Sequence, residues 1–137
     1  MEHIRKRKDF LAAARARSQA RASLVVQVRD RGDGAPPRLG FTTSRKLGNA
    51  VRRNRIRRRL RAAARAVLGS RARPGHDYVL IGRAATADAR FDDLVADLGK
   101  AVDKLQQAAH MNERGGTAAA SSHPHDNDRK AANGAKP

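Results

Sequence analysis

The sequence predicts an α+β domain, a two-layer arrangement of helices packed on a small sheet, and three observations lead to it. Apolar residues recur at helical spacing in two places: Ile56, Leu60, Ala63 and Val67, and then Phe91, Leu94, Val95, Leu98, Val102 and Leu105. Between these stripes, residues 77–82 (DYVLIG) form an apolar run too short for a helix and rich in strand formers. The element order is helix, two or three strands, helix, strand, helix, with no internal repeat.

Each element has its own warrant. Residues 9–17 (DFLAAARAR) are strong helix formers, with Asp9 placed to cap the first turn and Phe10, Ala13 and Ala14 at helical spacing. Residues 23–29 (SLVVQVR) are β-branched and roughly alternating, 30–37 (DRGDGAPP) are dense in turn formers, and 38–43 (RLGFTT) are again strand-like. Together they predict a hairpin with a long loop. Leu47-Gly48-Asn49 breaks the pattern, and a second helix runs from Ala50 to Gly69, ahead of Pro74, which cannot continue it. The run at 77–82 has no polar alternation and reads as a more central strand. The third helix starts at Phe91, with Asp92 and Asp93 complementing its dipole. Residues 1–111 make the domain. Residues 112–137 hold no Val, Ile, Leu or aromatic residue, and are expected to be disordered because they cannot bury enough surface to offset their ordering entropy.

A chain of 137 residues fits one folding unit, with room for one core but not for a large buried active site. Aromatics are only 3% of it (Phe10, Phe41, Phe91 and Tyr78), so the core is thin. The absence of Cys removes disulfides, thiolate zinc sites and Cys nucleophiles and points to a reducing interior. No apolar run approaches the ~20 residues of a membrane span, and no signal-type apolar region follows the basic N-terminus, so a soluble cytoplasmic protein, monomeric apart from its partners, is expected.

Charge is the outstanding feature. Lys and Arg number 30 against 13 Asp and Glu, a formal charge of +17, which excludes an ordinary small enzyme. The first 75 residues hold 22 basic against four acidic side chains and the rest eight against nine, so the excess is local, as a polyanion-binding surface requires. Its densest part, 44–61 (SRKLGNAVRRNRIRRRLR), has nine basic residues and no acid: Arg45, Lys46, Arg52, Arg53, Arg55, Arg57, Arg58, Arg59 and Arg61.

A basic helix is often only a solvated face, but three features argue otherwise. No Asp or Glu supplies the i,i+4 pairs that stabilise such a helix. Arg outnumbers Lys eight to one in the stretch, and its planar fork suits bidentate phosphate contacts and stacking. Asn54 sits inside the helix, where its propensity is poor but its amide can both donate and accept at a base edge or a 2′-hydroxyl.

The series Ser44-Arg45-Lys46, Gly48-Asn49-Ala50-Val51, Arg53-Asn54-Arg55, Arg57-Arg58 and Arg61 resembles the signature helix, or RNR motif, of the protein subunit of bacterial ribonuclease P. Asp9-Phe10, Gly40-Phe41-Thr42-Thr43-Ser44 and Tyr78-Val79-Leu80-Ile81 followed by Arg83 support it, over about residues 4–110.

The resemblance implies a fold of the ribosomal protein S5 domain 2-like type, in the order αβββαβα, with a four-stranded sheet and a left-handed βαβ crossover carrying the basic helix. The general rule for such crossovers is right-handed. It also implies a partner and a role. The family's protein binds a large catalytic RNA, and the complex removes the 5′ leader of precursor tRNA by hydrolysing one phosphodiester bond, with Mg²⁺ held chiefly by the RNA. Carried over by position, Arg45, Lys46, Asn49, Arg52, Arg53, Asn54, Arg55, Arg57, Arg58 and Arg61 are expected to contact the ribozyme, and Phe10 and Gln27 to line the leader cleft, where Phe10 can stack on an unpaired base. Two aromatics common in the family are replaced here by Ala14 and Gln27, so the leader is expected to depend more on charge and hydrogen bonding.

From the residues alone, no catalytic or metal centre is expected in the protein. Asp88, Asp92, Asp93 and Asp97 read as helix solubility and dipole residues, and His123-Pro124-His125-Asp126 lies in the expected tail. A basic ribosomal protein binding rRNA is the alternative, against which the register of the motif argues. A basic-region DNA-binding protein lacks the zipper it needs, since Gly69 and Pro74 follow Val67-Leu68.

Overall fold

The computed structural model describes residues 1–115. In order, the chain forms β1 (Glu2–His3), α1 (Arg7–Ala14), β2 (Arg17–Ala20), β3 (Leu24–Asp30), β4 (Arg38–Thr42), a single 3-10 turn (Arg45–Leu47), α2 (Ala50–Arg71), β5 (His76–Gly82), α3 (Ala84–Asp88) and α4 (Phe91–Gly115). The expected αβββαβα order is present, with a two-residue β1 in front and a five-residue α3 before α4. Residues 116–137, most of the segment expected to be disordered, lie outside the described residues together with His123, His125 and Asp126.

The strands form one mixed sheet in the order β1-β4-β5-β3-β2, five strands where four were expected. The expected hairpin does not form: β3 runs antiparallel to β5, β4 runs parallel to β5, and β5 lies between them. The cause is hydrophobic. Tyr78, Val79 and Leu80 are consecutive and all at most 1% exposed, so this run has no polar face to show water and takes the centre of the sheet. β4, α2 and β5 make up the parallel crossover that carries the basic helix.

Strand alternation sorts the sheet into two faces. Leu24, Val26, Val28, Leu39, Tyr78 and Leu80 point to one face, where Ile56, Leu60, Ala63, Val67 and Leu68 of α2 and Leu94, Leu98, Val102 and Leu105 of α4 pack on them. Full burial of a leucine such as Leu60 contributes about 1.5–3 kcal/mol. Phe91, placed in the α4 stripe by its spacing, is instead 40% exposed. The opposite face is smaller and lies under α1, with Ile4, Ala13 and Val79 buried beside Phe10 and Ile81. Here Gly40 is required by space: a Cβ would stand 2.6 Å from the Phe10 ring.

Two further expectations are corrected. α1 begins at Arg7 with Lys6 as its N-cap and no side-chain cap bond, so Asp9 does not cap it. The segment 17–20 (RSQA) is a strand although it lacks β-branched residues; pairing with β3 from Arg17↔Val28 to Ala20↔Val25 supplies what its own propensity does not.

Polar groups tie α4 down. Asp97 of α4 accepts from the Ser23 amide at 3.1 Å and the Ser23 hydroxyl at 2.7 Å, a bonded role beyond the solubility expected of it. The buried Tyr78 hydroxyl donates to Gln106 at 2.6 Å and accepts from the Arg73 amide at 2.9 Å, and burial pushes its pKa up.

Candidate nucleic-acid interface

α2 starts where the sequence says it should. Asn49 is its N-cap, and the side-chain oxygen accepts from the Arg52 amide at 3.0 Å. Replacing such a cap by Ala typically costs ~1 kcal/mol. The expected contact residue Asn49 therefore has a structural duty within the chain. Gly48 precedes it at φ +127, a backbone conformation that side chains rarely adopt.

With Ile56, Leu60, Ala63 and Val67 buried, the remaining α2 positions divide into two flanks and an outer face. On one flank Arg52, Arg55 and Arg59 turn to α3. Arg52 donates to the Ala84 carbonyl at 3.3 Å, Arg55 to Ala87 at 3.1 Å, and Arg59 to Thr86 at 2.9 Å and also to Ala89. Arg52 also lies 3.7 Å from Asp88. These three cations are therefore compensated by carbonyl dipoles and one carboxylate from outside the acid-free stretch 44–61.

The other flank faces the β4 edge. Arg53 donates to the Gly48 carbonyl at 3.2 Å. Arg57 donates to Asn54 Oδ1 at 3.2 Å and to the Thr43 hydroxyl at 2.7 Å, and the Arg61 guanidinium lies 5.5 Å from the Phe41 ring centroid. The outer face carries Asn54, Arg58 and Arg65, all exposed. Arg45 and Lys46, in the 3-10 turn before α2, are exposed as well. The side chains of Arg45, Lys46, Arg58 and Arg65 make no hydrogen bond or ion pair among the described residues. These side chains, with Arg53, Arg57 and Arg61 beside them, present donors that no acid among the described residues pairs with, as phosphate recognition requires.

The opposite face of the sheet holds a group of charges that sequence reasoning missed. Asp77 is fully buried at the start of β5. It accepts from Arg31 at 2.6 Å, from Arg38 through two nitrogens at 2.8 Å each, and from Arg29 at 3.3 Å. Asp9 of α1 reaches the same arginines, Arg29 at 3.2 Å and Arg38 at 3.4 Å. Burial alone drives the Asp77 carboxyl up, but the hydrogen bonds from Arg38 and Arg31 outweigh it and hold it below the usual carboxylate range. The Arg38 guanidinium is correspondingly held protonated by its bonds to Asp77. Three of the arginines counted toward the basic half are thus paired internally. The register Arg29↔Asp77↔Arg38 joins positions 48 and 39 residues apart, and no local pattern announces it.

The two positions expected in a leader cleft lie on this face. Phe10 is partly buried over Gly40. Gln27 is 5% exposed in β3, where its register partners are Ser18 and Val79. They share the α1 face, with Phe10 the more accessible of the two. Among the described residues, no group of three or more His, Asp or Glu is placed to hold a metal ion, and no helix is long and apolar enough to cross a membrane.

Comparison with known proteins agrees with this arrangement. A family model described as Ribonuclease P matches residues 1–106. The Ribonuclease P protein component of Ruegeria pomeroyi is 57% identical over 105 residues, covering 74% of this chain and 84% of that protein. Its counterpart in Caulobacter vibrioides is 48% identical over 117 residues, 85% of this chain and 76% of the relative. Among solved structures, the Staphylococcus aureus RNase P protein aligns with a TM-score of 0.64 at 27% identity, covering 77% of this chain and 95% of that one. The Thermotoga maritima RNase P protein gives 0.60 at 31% identity, covering 72% and 92%. With the α+β fold, the basic α2 and its Asn49 cap in place, the chain belongs to the family of bacterial ribonuclease P protein components.

Proposed function

We propose that the chain binds the catalytic RNA of ribonuclease P through the exposed face of α2 and the turn before it, and binds the 5′ leader of precursor tRNA on the α1 face of the sheet. The assembly then removes the leader to give the mature tRNA 5′ end. The observation that carries the proposal is the set of exposed side-chain donors without a partner among the described residues, Arg45, Lys46, Arg58 and Arg65, near Asn54 and Arg61. In this reading Arg53 and Arg57 contact the RNA as well, while Arg52, Arg55 and Asn49 act chiefly by shaping the helix that presents them. Phe10 offers a partly exposed ring for an unpaired base, and Gln27 serves the cleft from below as part of its floor.

The protein's contribution is binding and orientation: guanidinium groups neutralise phosphates where two RNAs meet, which lowers the repulsion that opposes assembly. In this proposal Mg²⁺ would supply the hydrolytic chemistry from sites held chiefly by the RNA. Reconstitution with a bacterial ribonuclease P RNA and a precursor tRNA at low Mg²⁺ tests the reading. Correct 5′ processing should need both components, and correct processing by an RNA-free protein sample would overturn it. Phe10→Ala should weaken precursor tRNA more than mature tRNA, and equal losses would remove Phe10 from the leader site. The basic ribosomal protein alternative predicts co-purification with ribosomal RNA and is not favoured by the family match.

A further inference from the structure

A second basic cluster lies away from α2, on the side of the sheet that carries α1. Residues 5–8 read RKRK, and all four side chains are exposed. None of them makes a hydrogen bond or ion pair among the described residues. The segment is nevertheless anchored. Glu2 and His3 pair with Arg38 and Leu39 of β4, the Ile4 amide donates to the Leu39 carbonyl at 2.9 Å, and the Ile4 side chain is buried. α1 then begins at Arg7. A depression of about 350 Å³ opens here, lined by His3, Arg5, Lys6, Lys8, Asp9 and Arg38 along with Glu2. Asp9 already bonds Arg29 and Arg38, so its carboxylate is not available to the lysines. The result is a concave surface with three cations at its wall that have no partner among the described residues, where the exposed Glu2 at its edge is the one acid free to neutralise them.

We propose that Arg5, Lys6 and Lys8 form a phosphate-binding cradle for an RNA strand, separate from the α2 surface. A fixed concavity lined by compact cations suits successive backbone phosphates and reads no sequence. Lys6 stands one helical turn before Phe10, so a strand lying in the cradle continues toward the ring. The inference rests on the RNA-binding reading above. The phosphates come either from the leader of precursor tRNA or from the catalytic RNA.

The test compares the double variant Lys6→Ala/Lys8→Ala with a control of equal charge change on α4, Lys100→Ala/Lys104→Ala. Salt dependence of affinity is measured for the catalytic RNA alone, and for the reconstituted complex with precursor tRNA carrying a full or a trimmed leader. Loss of two phosphate contacts should reduce the log–log slope by about 1.4, at roughly 0.7 per contact for single strands. Lys6→Arg/Lys8→Arg should restore it. A loss confined to the full-leader precursor assigns the phosphates to the leader, and one seen with the catalytic RNA alone assigns them to that RNA. An unchanged slope in every arm, or one reduced equally by the α4 control, overturns the cradle. Arg58→Ala run in parallel keeps the two claims apart, because failure of that variant to weaken the catalytic RNA would count against the α2 reading and not against the cradle.

Discussion

Arg29, Arg31 and Arg38 meet a buried carboxylate, Asp77, with Asp9 and Asp33 beside it, whereas the exposed side chains of Arg45, Arg58 and Arg65 meet no partner among the described residues. Both groups are arginine-rich and both fall in the basic half of the chain. In the first, each guanidinium has a geometric partner, and the cluster joins α1, β3, β4 and β5. In the second the donors are displayed and unanswered. The difference shows that a count of cations does not locate a binding surface; what faces each cation does. α2 makes the same division within one helix, since Arg52, Arg55 and Arg59 serve α3 while the side chains of Arg58 and Arg65 have no partner among the described residues.

The contrast can be broken from either side. Asp77→Ala should have the largest effect, lowering the urea-unfolding free energy by about 3–5 kcal/mol, because it removes the one buried carboxylate shared by Arg29, Arg31 and Arg38 and leaves them only the peripheral Asp9 and Asp33. A loss under 1 kcal/mol would show the network to be dispensable. The same carboxylate gives a pH signature. Its folded pKa lies below the ordinary value of 3.8, so its stabilisation is complete above that value and is lost as pH falls toward the folded pKa. The urea midpoint of the wild-type chain should therefore drop on acidification below about pH 4, and Asp77→Asn should flatten that drop. A variant curve parallel to the wild type would contradict it.

Smaller effects sharpen the comparison. Arg59→Ala removes a strut to two α3 carbonyls and should cost about 1–3 kcal/mol of stability while leaving the salt slope of RNA binding unchanged. Asn49→Ala should cost about 1 kcal/mol, read as a lowered melting temperature, through loss of the α2 cap. Arg58→Ala should change stability by no more than about 0.5 kcal/mol, yet weaken the catalytic RNA measurably.

Much of this was legible in the sequence, for reasons particular to each element. The α2 stripe, the Gly48-Asn49 entry and the central place of 77–82 rest on local spacing and on continuous apolarity, which single segments carry in full. β2 escaped because its four residues have little strand propensity and are held by β3. The hairpin was misjudged because the strand that separates β3 from β4 comes from after α2, and no local pattern shows that insertion. Asp77 escaped for the same reason: its partners come from β3, β4 and the intervening loop, and its burial is a property of the assembled sheet. For the interface, sequence identified the helix but not its orientation. Only the packing against α3 and β4 separates the arginines that brace the fold from those that are displayed.

The most direct measurement is the salt dependence of catalytic-RNA affinity for two double variants of α2. Arg58→Ala/Arg65→Ala, which removes displayed cations, should reduce the log–log slope by about 1.4, and Arg55→Ala/Arg59→Ala, which removes braced ones, should leave it near the wild-type value while lowering stability. Equal slope changes in the two variants, or a larger change in the braced pair, would contradict the account.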